Sequence, residues 1–158
     1  MDGLGTHVET YYKPMKKVFR IAGIILLAVL LVLVRAFENA LFYDPLLLFF
    51  KTDYKSMQLP EMDIFALQMG IALRFLMNTL LSLSILWLVF FDKEIIRIST
   101  LLYILLFVVL FVAFSAIIFT SEDTGGHLVL FYVRRFLIQP LFLLILLPAF
   151  YFQKYKSR

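Results

Sequence analysis

Residues 131–148 read FYVRRFLIQPLFLLILLP, an apolar stretch long enough to cross a bilayer that carries two adjacent arginines, Arg134 and Arg135. A permanent charge placed inside such a segment is costly unless it has a partner. The rest of the chain is therefore expected to supply one. Pro140 removes the hydrogen bond to the carbonyl of Phe136, and Pro148 does the same for Leu144, so this fourth span is expected to bend twice.

Working outward, the composition agrees with a lipid setting. Of 158 residues 63% are hydrophobic, against the roughly 45–50% usual in soluble domains. There is no cysteine, which excludes disulfides, thiolate metal sites and cysteine nucleophiles together. The net charge is +4, but the cations flank or enter apolar spans and form no soluble basic face, so they read as topology signals and buried polar groups, with no nucleic-acid partner.

In chain order, residues 1–15 are polar and lack an apolar period. They read as a disordered tail, or as an upstream extension if translation begins at Met15. Lys16, Lys17 and Arg20 precede the apolar run 21–34, which with Val18 and Phe19 reaches spanning length as a first span over about residues 18–36. A basic start before an apolar run also describes a signal peptide, but no small-residue cleavage site follows and the chain stays apolar. The connection after Arg35 is net acidic, and residues 46–50 are too short to span, so they are expected at the interface or tucked against the helices. The second span covers about 64–91, its start near Pro60, with Glu61 and Asp63 complementing the positive helix terminus. A short turn at Asp92, Lys93 and Glu94 leads to the third, 96–119. Residues 120–126, TSEDTGG, break the chain, and the fourth runs over 128–152. The expected fold is all-α: a polytopic four-helix transmembrane bundle over residues 16–156 with a partly interfacial first connection.

Lysines and arginines cluster before the first span and after the fourth, while the connections at the other ends are acidic. Both termini are then expected in the cytoplasm. At a rise of about 1.5 Å per residue, Arg35, Arg74, Arg134 and Arg135 all fall in the outer half. Gly70, Arg74, Asn78 and Ser82 recur every four residues and form a small, polar stripe that should face protein. Adjacent arginines point about 100° apart on a helix, so Arg134 and Arg135 cannot make the same contact. Glu38, Asp44, Glu61, Asp63, Glu122 and Asp123 are the acidic partners within reach. The candidate polar cluster is Arg35, Glu38, Asp44, Arg74, Asn78, Arg134 and Arg135.

Internal pairing that fixes the helix register is one role for this cluster; contact with a partner protein, a carboxylate or a lipid phosphate is another, suited to arginine's planar fork. No catalytic constellation, metal-ligand set or cofactor motif is assigned. His127 beside Glu122 and Asp123 reads as a solvated loop histidine. Ser82, Ser84 and Ser115 are expected to bond back to their own helices.

The segments RAFENALFYDP (residues 35–45), LRFLMNT (73–79) and FYVRRFLIQPLFLLILLPAFYFQ (131–153), in that order on four spans, resemble the exosortase F system-associated membrane proteins of the Bacteroidetes group. The resemblance covers residues 15–156. It implies a companion of an exosortase, in a system that sorts secreted proteins bearing a C-terminal membrane-anchoring tag. Exosortases resemble polytopic cysteine transpeptidases, so a chain without cysteine departs from that pattern, and no catalytic residue is carried over. The expected function is a non-enzymatic inner-membrane accessory protein whose outer-leaflet arginine cluster docks the exosortase or its tagged substrate; its partners are membrane lipid and these proteins. A small membrane enzyme or carrier handling a lipid or anionic substrate is the alternative.

Overall fold

A computed structural model describes residues 3–52, 58–120 and 126–156, with side chains from Lys16 onward. The described residues form seven helices and no strand, an all-α polytopic membrane bundle. Three helices are individually long and apolar enough to span: α1 (Gly3–Ala36), whose apolar part is Lys16–Ala36, α4 (Ile64–Phe90) and α5 (Lys93–Thr120). The fourth span is a bent pair, α6 (His127–Ile138) and α7 (Leu141–Lys156), meeting at 58°. Two single-turn helices, α2 (Glu38–Leu41) and α3 (Leu46–Phe49), make up the first connection.

Helix α1 begins at Gly3, inside the segment expected as a tail. Once a span is nucleated, each added residue gains a hydrogen bond without a new nucleation cost, so a polar stretch can extend an existing helix. Helix α4 starts at Ile64, a turn later than Pro60, because Asp63 caps it: its Oδ1 accepts from the backbone N–H of Ala66 at 3.1 Å, satisfying one of the unpaired amides of the first turn.

Pro140 breaks the fourth span outright, but Pro148 lies within a continuous α7, so one break replaces the two bends expected. The difference lies in the residue before the first proline. Gln139 is extended, at φ −105° and ψ 141°, the conformation a following proline favours.

Helix α4 is the centre of the bundle and packs against α1, α5 and α6. In lipid, helix association relies on close packing and on interhelical hydrogen bonds. Fully buried Leu67, Ile71 and Leu86 of α4 join Phe114 of α5 and Leu130 and Leu137 of α6. Phe75 of α4 lies against Phe107 of α5 with ring centroids 4.8 Å apart. Tyr103 of α5 meets Phe142 of α7 at 5.1 Å.

At one end of the bundle, cations from two other helices close the C-terminus of α4. The Arg20 guanidinium donates to the carbonyls of Leu88 and Val89. Lys154 Nζ donates to the carbonyl of Phe90 at 3.0 Å and lies 3.7 Å from Asp92. Positive side chains at orphan carbonyls both complete hydrogen bonds and oppose the negative end of the helix dipole. Phe91 takes the left-handed cap position, φ 47°, which lets α5 start at Lys93. Arg20 and Lys154 therefore do more than set topology: they tie α1 and α7 to the end of α4.

At the other end, α3 packs inward, with Leu46, Leu47 and Phe49 all buried. The approach of this connection to α4 depends on Gly70, where an added Cβ would lie 2.6 Å from the Tyr43 carbonyl oxygen. Backbone cannot yield as a side-chain tip does, so Gly70→Ala should push the connection away at a cost of about 1–3 kcal/mol. Thermal unfolding of the detergent-solubilised protein checks this, and a wild-type midpoint for the variant would refute the close approach.

Candidate functional site: a buried arginine and carboxylate network

The residues that meet are Arg35, Glu38, Asp44, Arg74 and Arg134. Arg74 comes from the middle of α4, Arg134 from α6, Arg35 from the last turn of α1, and the two carboxylates from the connection that folds over them. Arg74 and Arg134 are 2% and 4% exposed, so their charges need compensation inside the protein. Asp44 provides it for both.

Arg134 grips Asp44 in a two-pronged contact, Nε to Oδ1 at 3.3 Å and Nη2 to Oδ2, the planar pairing that a guanidinium and a carboxylate favour. Arg74 Nη1 donates to the same Oδ2 at 3.3 Å. Glu38 Oε2 takes Arg35 Nη1 at 2.6 Å and lies 3.2 Å from Arg74 Nη2, an ion contact whose angle makes no hydrogen bond. Two rings cover the guanidiniums: Phe42 stands 5.0 Å from that of Arg74 and Phe50 5.8 Å from that of Arg134, within the range of cation–π attraction.

Asn78 and Arg135 have other partners. Asn78 is buried, one turn along the stripe from Arg74, and donates from Nδ2 to the carbonyl of Ile138 at 3.0 Å. That carbonyl stands at the Pro140 break, where the helical pattern that would pair it is interrupted, and an unpaired carbonyl in lipid is expensive. Asn78 thus seals the break. Arg135 is exposed and donates from Nε to Gln139 Oε1 at 3.3 Å. The angular offset of neighbouring residues on a helix turns it out of the network that holds Arg134.

The network is closed. The void among Arg35, Glu38, Arg74 and Asn78 measures about 10 Å³, at most one water. Comparisons with family models, curated proteins and solved structures gave no match to this chain. Among the described residues, no group of three or more metal-ligating side chains is present. Of the other expected partners, Asp63 is used as a helix cap, and Glu122 and Asp123 lie outside the described residues.

His127, expected in solvent, is 3% exposed, with its ring 5.4 Å from that of Phe49; it opens α6 and packs under the connection. Of the three serines, Ser84 bonds back to Leu80 at 2.8 Å. Ser115 instead accepts from Gln68 Nε2 at 3.0 Å, a bond between α4 and α5. Ser82 faces the Tyr103 hydroxyl across the same seam. The last residue of the stripe therefore meets α5, whereas Arg74 meets the connection.

The sequence signal for Asp44 was its place in an acidic connection; that one carboxylate serves two helices was not encoded in any spacing. Asp44→Asn would leave two buried guanidiniums without their shared anion, and breaking a buried pair costs about 3–5 kcal/mol. Arg135→Gln removes an exposed charge and should change stability by less than about 0.5 kcal/mol. Thermal unfolding midpoints of the two variants in one detergent are expected in that order; similar midpoints would show that Asp44 is dispensable.

Proposed function

We propose that this protein is a non-enzymatic accessory protein of an exosortase-type sorting system in the bacterial inner membrane, with both termini cytoplasmic, and that it holds a transmembrane helix of the exosortase or of its tagged substrate. The family resemblance motivates the setting. The observation that carries the docking role is a groove of about 640 Å³ between α4 and α5, roofed at the network end by Leu41, Phe42 and Tyr43.

Its α4 wall includes Ala66, Gly70, Ala72 and Thr79, and its α5 wall includes Thr100. Small side chains let a second helix backbone approach closely, which is how helices associate in lipid where the hydrophobic effect gives no preference between partners. Exposed Met69, Leu73 and Ile104 flank it and supply apolar contact.

Docking through the arginine cluster, the role expected from the sequence, fits less well. Arg74 and Arg134 both bind Asp44, and through it they hold the roof of the groove in position. An enzyme or carrier built on Arg74 and Asn78 would need an open cavity beside them, and the void there admits at most one water.

Ala66→Phe fills the groove without touching the charge network. Co-purification with the exosortase in mild detergent should fall at least fivefold for this variant at unchanged abundance, while Arg135→Ala retains wild-type recovery. Equal recovery with Ala66→Phe and wild type would remove the groove as the docking element.

A further inference from the structure

On the other side of the network a second cleft, of about 260 Å³, lies between α3, α6 and the end of α1. Arg35, Lys51, Arg134 and Arg135 line it, with Gln139 as a further polar group and no carboxylate among the described lining residues. We infer that this cleft is a binding site for a phosphate group, carried by the headgroup of an anionic membrane lipid or by a free phosphate.

The charge balance points to an anion. Arg35, Lys51, Arg74, Arg134 and Arg135 face only Glu38 and Asp44 among the described residues in and around the network. Among these described residues the positive charges outnumber the negative by three. The two carboxylates are taken up on the network side, which leaves the other edges of the guanidiniums for the cleft. Arg134 is the fixed element: it is 4% exposed, and its contact with Asp44 uses Nε and Nη2, so Nη1 remains. Arg35 commits Nη1 to Glu38 with its side chain half exposed, and Arg135 commits Nε to Gln139.

A set of forked donors on several elements around one small space suits the tetrahedral oxygens of a phosphate better than a single planar carboxylate. Anchoring one of them in a buried ion pair reduces the ordering cost of binding. The walls add an apolar component. Phe50 and Phe131 meet edge to face at 5.3 Å, and Leu47 and Ile138 complete that side. Positive clusters at the end of a bundle attract anionic headgroups by charge, and Arg20 and Arg35 lie about 22 Å apart along α1 at the rise of 1.5 Å per residue, so Arg35 stands some way inside the roughly 30 Å of a hydrocarbon core. The cleft opens where a headgroup can bend inward and leave its chains against apolar side chains. The site is separate from the groove between α4 and α5, so either can fail without the other.

The test is the thermal midpoint of the full-length protein in detergent, titrated with phosphatidylglycerol, phosphatidylcholine or inorganic phosphate, for wild type and for Lys51→Gln/Arg135→Gln. Both substituted positions are exposed, so the variant should fold with a midpoint near that of wild type; if it does not, Lys51→Gln alone is used. A ligand bound only by the folded state raises the midpoint with concentration. Phosphatidylglycerol is expected to raise it by several degrees for wild type, with at least tenfold weaker apparent affinity for the variant. A rise with phosphatidylglycerol and none with inorganic phosphate assigns the site to a lipid headgroup; an equal rise with both assigns it to the phosphate group alone. Equal rises with phosphatidylglycerol and phosphatidylcholine, or an undiminished response in the variant, would overturn the site.

Discussion

One carboxylate holds two helices together. Asp44 lies between Arg74 of α4 and Arg134 of α6, with Glu38 as a second anion beside Arg74. A guanidinium at this depth without a carboxylate would have to drag water or headgroups inward. The connection that carries Asp44 is therefore drawn down onto the bundle, and its neighbours follow: Tyr43 against Gly70, Phe42 over Arg74, and Leu46 and Phe49 into the core. A segment too short to span becomes a fixed roof.

The two ends of α4 are stabilised by different means. At the network end, charges are buried and paired with one another. At the Phe90 end, Arg20 and Lys154 neutralise the exposed carbonyls of the helix itself. Between them the packing is apolar, interrupted by Asn78 at the Pro140 break and by the hydroxyls of Ser82, Ser99 and Tyr103 on the α4–α5 seam. Polar groups within the span thus occur where a backbone is broken or where two helices are to be registered, which is where lipid cannot satisfy them.

This arrangement leaves two concave faces of opposite chemistry. The groove between α4 and α5 is apolar and has small residues along it; the cleft beside α6 is cationic with aromatic walls. The network separates them and makes both rigid, since moving Asp44 would displace the roof of one and the anchored arginine of the other.

Composition and apolar run lengths determined the all-α membrane architecture, because hydrocarbon admits a spanning chain only as a helix or a closed barrel and each run is of helical spanning length. The four-residue spacing of Gly70, Arg74, Asn78 and Ser82 was enough to mark the protein-facing side of α4, since helical periodicity is local. It could not say that each member has a different neighbour: a carbonyl for Gly70, a carboxylate for Arg74, the Pro140 break for Asn78, α5 for Ser82. Nor could it separate Arg134 from Arg135, adjacent and chemically identical, until the direction of α6 was fixed. Which arginine is buried, which acid it finds and which cations remain open depend on how the connection and the broken helix fold over α4, and those are distances between residues far apart in the chain.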